Sequence, residues 1–210
     1  MNLNIAKRIP HRTIPTLVFA LLLAGCTGLQ APQAESPRLY VLDARPALKT
    51  AQAKRDLVLA VGMPHARPGF DTPRMAYLRQ PHELDYFATN RWADTPSRML
   101  GPLLAQSLEQ TGSFRAIVQT PGVVPADIRL DTELIRLQQD FQTQPSRIQF
   151  TLRAQLIDVA GKRIIAVKQF DATENAVSDD AYGGVIAANR LLQRVLGELA
   201  DFCVSETAAR

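Results

Sequence analysis

The chain has 210 residues and a formal net charge of +4, from 24 Lys and Arg against 20 Asp and Glu. No basic block stands out, which excludes the electrostatic footprint of a nucleic-acid binder. The length suits one domain with a sizeable core, and no internal repeat or low-complexity run is evident.

The first predicted element is a leader. Ile14 to Ala24 is an apolar run of 11 residues that includes Pro15. A bilayer-spanning helix needs about 20 residues, whereas the core of a secretory signal takes about 7–15. Lys7, Arg8 and Arg12 precede the run without an acidic residue, and it ends Leu23-Ala24-Gly25-Cys26. That ending closely resembles the bacterial lipobox. In such signals a diacylglycerol joins the cysteine sulfur, a peptidase cuts before the cysteine, and the new amino terminus is acylated. A short uncleaved anchor with an incidental cysteine is the alternative. Cys26 is therefore the expected lipidation site. One acyl chain binds a bilayer marginally and two or more hold stably, so the mature protein is expected to be a permanent peripheral resident. Residue 27 is Thr and not the Asp that, in lipoproteins of the enterobacterial kind, favours the inner membrane. Outer-membrane delivery, on the periplasmic face, is the expectation.

Cleavage would remove three of the 24 cations and leave 21 basic against 20 acidic residues, close to neutral. Acylation of Cys26 would leave Cys203 as the one remaining thiol, with no intrachain disulfide available. Cys203 reads as a small apolar core residue near a helix end, with an intermolecular bridge as the alternative. The expected divisions are a signal peptide at 1–25, the lipidated cysteine with a small, polar tether at 26–37, one domain at 38–205 and a short tail at 206–210. Fully extended, the eleven residues 27–37 reach roughly 36 Å at about 3.3 Å each.

The domain opens with strand candidates at Arg38–Asp43 and Asp56–Gly62, followed by the Pro/Gly-rich bend MPHARPGFDTP. Met75–Leu78 and Glu83–Thr89 read as a hairpin around Gln80-Pro81. A helix follows, with Thr95 as N-cap, Pro96 at its first position, Leu100, Leu103, Leu104 and Leu108 at helical spacing, and Gly112 as its stop. Pro102 inside it predicts a kink or a later start.

After a short strand near Phe114–Val118 comes the clearest β region. Ile128, Leu130, Thr132 and Leu134 alternate, and from Ile135 the alternation continues on the opposite parity through Leu137, Gln139 and Phe141. A parity switch within one strand predicts a bulge near Leu134-Ile135. Ile148 to Leu156 alternate cleanly, and a turn at Val159–Lys162 leads to Ile164–Thr173, which completes an antiparallel meander. The last helix is expected to be capped by Ser178 or Asp179. Its stripe of Val185, Ala188, Leu192, Val195, Leu199 and Phe202 is expected to pack on the sheet. The fold class is α+β: two layers, a mostly antiparallel sheet with two main helices packed on one face.

Little in the chain argues for catalysis. His65 and His82 lie beside prolines in expected turns, and Glu83 and Asp85 read as a solvated strand edge. Gly183-Gly184 is a bare pair without the lysine of a phosphate loop. A zinc site needs three or four ligands, so neither metal nor cofactor is expected. Tyr77, Tyr86, Phe87 and Trp92 fall within sixteen residues. They read first as packing between strands and helix. Contact of Tyr77, Tyr86 and Trp92 with a partner or a lipid is the functional alternative.

Taken in order, these landmarks resemble the ABC-type transport auxiliary lipoproteins, the Pqi-type family, over roughly Arg38 to Phe202. The segments that carry the resemblance are the Tyr40–Leu42 strand, PGFDTPRMAY at Pro68–Tyr77, RWADTP at Arg91–Pro96, LEQTGSFRAIV at Leu108–Val118, LIDVAGKRII in the meander, and the Ala-rich terminal helix. Phe70 departs conservatively from the tyrosine or leucine usual in that bend. The resemblance implies a periplasm-facing accessory subunit working with an ATPase, a permease and a mammalian-cell-entry-type substrate-binding protein that moves lipid between two membranes. It implies no catalytic residues. An outer-membrane assembly or structural lipoprotein is the alternative, and a homo-oligomer is left open.

Overall fold

In the computed structural model the described residues are 36–45, 54–122 and 124–208. The leader, Cys26 and most of the tether lie outside them. The elements run β1 (Arg38–Tyr40), β2 (Val58–Val61), β3 (His65–Ala66), β4 (Arg74–Leu78), β5 (Asp85–Trp92), α1 (Pro96–Gln110), β6 (Ala116–Gln119), β7 (Ile128–Asp140), β8 (Arg147–Asp158), β9 (Arg163–Asn175) and α2 (Ala181–Glu206).

Strand β7 is the spine. Along one edge it pairs antiparallel with β8, from Ile128 opposite Asp158 to Asp140 opposite Arg147, and β8 pairs antiparallel with β9. Along its other edge it takes three short strands in parallel: β2 at Leu59–Ile128, β3 at His65–Glu133 and β4 at Ala76–Gln138. From β2 the sheet continues in parallel to β6, and from β4 through the antiparallel β5 to a parallel β1. The longest pairings are antiparallel and the parallel ones are short, so the sheet is mixed with an antiparallel majority.

The parity switch in β7 is a register shift between Leu134 and Arg136, which leaves Ile135 without a partner in the ladder. It lets Ile128, Leu130 and Leu134 before the shift, and Leu137 after it, all stay buried. Without the extra residue one half of the strand would turn its leucines to water. Across from them Phe150, Leu152 and Leu156 of β8 form the floor of the core, and both helices cover it.

Helix α1 starts at Pro96 and continues through Pro102, so the later start is not what forms. Pro102 is exposed on the same side as Arg98, whose carbonyl loses its intrahelical donor where water can replace it. Thr95 occupies the N-cap position without a side-chain cap bond, and Gly112, at φ 63°, takes the left-handed position after the C-cap Thr111.

Helix α2 buries its expected stripe and uses a different cap. Asp180 is the N-cap, with its carboxylate accepting from the Gly183 amide at 2.7 Å. Asp179 is drawn away by the Ser146 amide, also at 2.7 Å. Hydrogen bonds from Ser146 hold the Asp179 carboxyl below the usual carboxylate range. Cys203 is buried in the last turns of α2, the core position expected of it.

Candidate functional site

The polar candidates stay apart. His65 is not in a turn: it sits in β3, paired with Glu133 of β7, because the bend after Gly62 returns to the sheet edge. His82 lies in the β4–β5 loop with φ 67°, and Glu83, outside the strand that Asp85 begins, accepts a bond from the Gln80 side chain. Among the described residues no three His, Cys, Asp or Glu side chains gather as a metal site. Burial pushes the Cys203 thiol far up, so it stays neutral and inert in the fold.

The aromatic set divides by depth. Trp92 is 3 % exposed and belongs to the core. A cavity beside it, lined by Met75, Phe87, Trp92, Leu137 and Ile148, measures about 10 Å³. That is room for one water and not for an acyl chain. Tyr77 and Tyr86 are half-buried and reach the surface. Tyr77 packs against Phe87 at 4.8 Å and edge-on against Phe141 at 5.8 Å. Tyr86 donates its hydroxyl to the Gly69 carbonyl at 3.1 Å, and the Arg74 guanidinium sits 3.8 Å over its ring. Both rings are thereby fixed in direction, each with an arginine beside it, since Arg79 lies 5.5 Å from the Tyr77 ring.

A second feature lies beside the Trp92 end of β5, where β1 pairs with it. There β1 and the segment to Arg45 run beside the first half of α2. Asn189 clamps them: its amide nitrogen donates to the Val41 carbonyl at 3.2 Å, and its oxygen accepts from the Asp43 amide at 2.7 Å. Between the clamp and the solvent is an open groove of about 710 Å³, lined by Leu39, Val41, Tyr182, Ile186 and Gln193. Sequence reading missed it, since the approach of β1 to α2 joins positions nearly 150 residues apart. Among the described residues no helix is long and apolar enough to cross a membrane.

The fold itself has solved relatives. The crystal structure of a Xanthomonas campestris protein is similar at 21 % identity and a TM-score of 0.76, over 82 % of this chain and 98 % of that one. A hypothetical protein from Chlamydia trachomatis is similar at 11 % identity and a TM-score of 0.53, over 74 % of this chain and 100 % of that one. At these identities the likeness establishes the architecture alone. No curated protein matches the chain. A sequence model does match, across residues 40–200, from the first strand of the domain into the last turns of α2: the chain belongs to the family of ABC-type transport auxiliary lipoprotein components.

Proposed function

We propose that the protein is a lipid-anchored accessory subunit of an ABC-type system that moves lipid between two membranes. Cys26 carries the acyl chains, and residues 27–37 link it to the domain. Thr27 favours the periplasmic face of the outer membrane. There the domain docks a mammalian-cell-entry-type substrate-binding protein, which works with a permease and an ATPase. The observation that carries this reading is the family's match over residues 40–200, directly behind the Leu-Ala-Gly-Cys ending. The family brings the association with a transporter, and the ending brings the anchor.

The geometry supports a role by position and contact. The thiol is buried, the histidines stand apart, and the space beside Trp92 is too small for a lipid tail. The docking contact is assigned to Tyr77 and Tyr86, the half-buried tyrosines of the aromatic set, each with an arginine beside its ring. Trp92, the last residue of β5, belongs to the core. Pinned aromatic rings beside arginines are the side chains that dominate protein interfaces.

Labelling cells with palmitate and capturing the protein after crosslinking tests both halves. The wild type is expected to carry label and to bring down the substrate-binding protein. Cys26→Ser is expected to lose the label, and Tyr77→Ala with Tyr86→Ala to lose most of the capture. Label that persists in Cys26→Ser sinks the anchor; capture unchanged in the tyrosine variant sinks the assigned contact.

A further inference from the structure

The groove between β1 and α2 combines apolar exposure with positive charge. Leu39, Val41 and Tyr182 are 62 %, 55 % and 58 % exposed, three of the largest apolar exposures on the described surface. Tyr182 packs near Tyr40, with ring centroids 6.1 Å apart, so the apolar patch is continuous from strand to helix. Arg45 and Arg190 line it, Arg38 precedes Leu39 in β1, and all three are exposed. None of the three has an ion-pair partner among the described residues, whereas eight arginines elsewhere on the domain are paired with carboxylates. Asp43 is the single acid at the groove, and its amide is held by the Asn189 clamp.

Two features of the molecule say what would cover such a face. The first is charge. Another surface groove, about 640 Å³ between β9 and the end of α2, is lined by Glu198, Asp201 and Glu206 against Lys168 alone, an excess of acid that opposes a phosphate surface. The β1–α2 groove has the sign that phosphates favour. The second is where the chain begins. Residues 27–37 can span no more than roughly 36 Å, and the first element among the described residues is β1. A domain held by Cys26 therefore keeps the β1 end within that distance of the bilayer.

We propose that the face formed by Leu39, Val41 and Tyr182, with Arg45 and Arg190 on its lining and Arg38 next in sequence, is the surface on which the domain rests against an anionic phospholipid bilayer. The apolar side chains enter the headgroup boundary and the guanidinium groups bind lipid phosphates. A tyrosine at that depth keeps its ring in the apolar layer and its hydroxyl in water. The orientation rests on the reading of Cys26 as the anchor. Such a contact need not be tight, because the tether makes it intramolecular and raises its effective concentration.

The test uses the chain from Thr27 onward without an anchor, since the whole core lies within the compact unit Pro37–Arg210. Flotation with vesicles of phosphatidylcholine, with and without phosphatidylglycerol, measures partitioning. The domain is expected to float with the anionic vesicles and to be released by salt. The variant Leu39→Ser, Val41→Ser, Tyr182→Ser is expected to lose about tenfold or more in partition coefficient with its melting temperature unchanged, because all three side chains are exposed. Replacing Arg38, Arg45 and Arg190 by Gln is expected to remove the preference for phosphatidylglycerol, at about fivefold for each arginine near an anionic surface. A wild-type domain that does not float, or variants that float as the wild type does, overturns the proposal. So does an apolar variant that abolishes self-association in sedimentation and leaves flotation untouched, since the face would then belong to a second copy. The two readings fail separately: loss of palmitate label from the full chain removes the anchor without touching flotation of the domain.

Discussion

Gln139 shows how closely single residues are matched in this core. Its side chain is buried, with the amide nitrogen donating to the Ser146 hydroxyl at 2.9 Å and to the Asp180 carbonyl at 3.1 Å. Its oxygen has no hydrogen-bond partner and faces Gly184, the first-turn glycine of α2. A Cβ at Gly184 would lie 2.9 Å from the Gln139 Cδ and closer still to the oxygen. The amide cannot swing away without giving up both of its hydrogen bonds at the cap of α2. Gly184→Ala is therefore expected to lower stability by about 1–3 kcal/mol, the usual cost of overpacking, read as a shifted denaturant midpoint. Adding Gln139→Ala should return part of that loss, so the double variant falls short of the sum of the two single ones. Strict additivity would show that the two residues do not meet. From the sequence, Gly183-Gly184 is a bare pair with no phosphate loop around it; the reason for Gly184 lies on β7, more than forty residues earlier, and the reason for Gly183 on Ser178, just ahead of the helix.

Helix α2 and strand β7 carry most of the packing, and both were legible because their periods are local. The stripe from Val185 to Phe202 repeats at three and four residues, and every member is buried. Leu192 and Leu199 are completely buried, so truncation to Ala at either site is expected to cost about 2–5 kcal/mol. Thermal or chemical melting measures it. Values near zero would mean that the stripe faces outward and that its leucines bind a partner instead. The bulge at Ile135 was equally readable, since a period of two that changes parity needs one extra residue. The parallel pairings were not. Nothing in the local pattern of Val58–Val61 says that it joins β6 on one side and β7 on the other. The cap of α2 was hidden for the same reason. Ser178, Asp179 and Asp180 are all good capping residues, and the choice among them is made by Ser146, which takes Asp179 for itself. Trp92 and Tyr86 lie on one strand, yet only the structure separates the ring that fills the core from the ring that reaches the surface.

At the scale of the whole molecule, the domain is bounded by what surrounds it: an expected lipid at Cys26, a link that reaches at most roughly 36 Å, and a compact unit with charge and apolar exposure gathered at the end where that link enters. An accessory subunit of this build can contribute location, contact, or both, and the two are separable by experiment. Replacing residues 1–26 with a cleavable signal that carries no lipobox delivers the same domain to the periplasm unanchored. Its core lies within Pro37–Arg210, so folding is preserved. This soluble form is expected to retain capture of the transport partner, because Tyr77 and Tyr86 are held by contacts inside the domain. It is expected to fail in restoring resistance to membrane-damaging agents, because the weak bilayer contact of the β1–α2 face loses the effective concentration that the tether supplies. Raising expression of the soluble form gives a graded control, since location supplied by mass action should recover part of the phenotype as concentration rises. Full complementation at native expression would show that anchoring is dispensable and would favour a freely diffusing carrier. Loss of both capture and phenotype would show that the acyl chains themselves belong to the docking surface. Capture without phenotype is the result that assigns the anchor to location and the folded domain to contact.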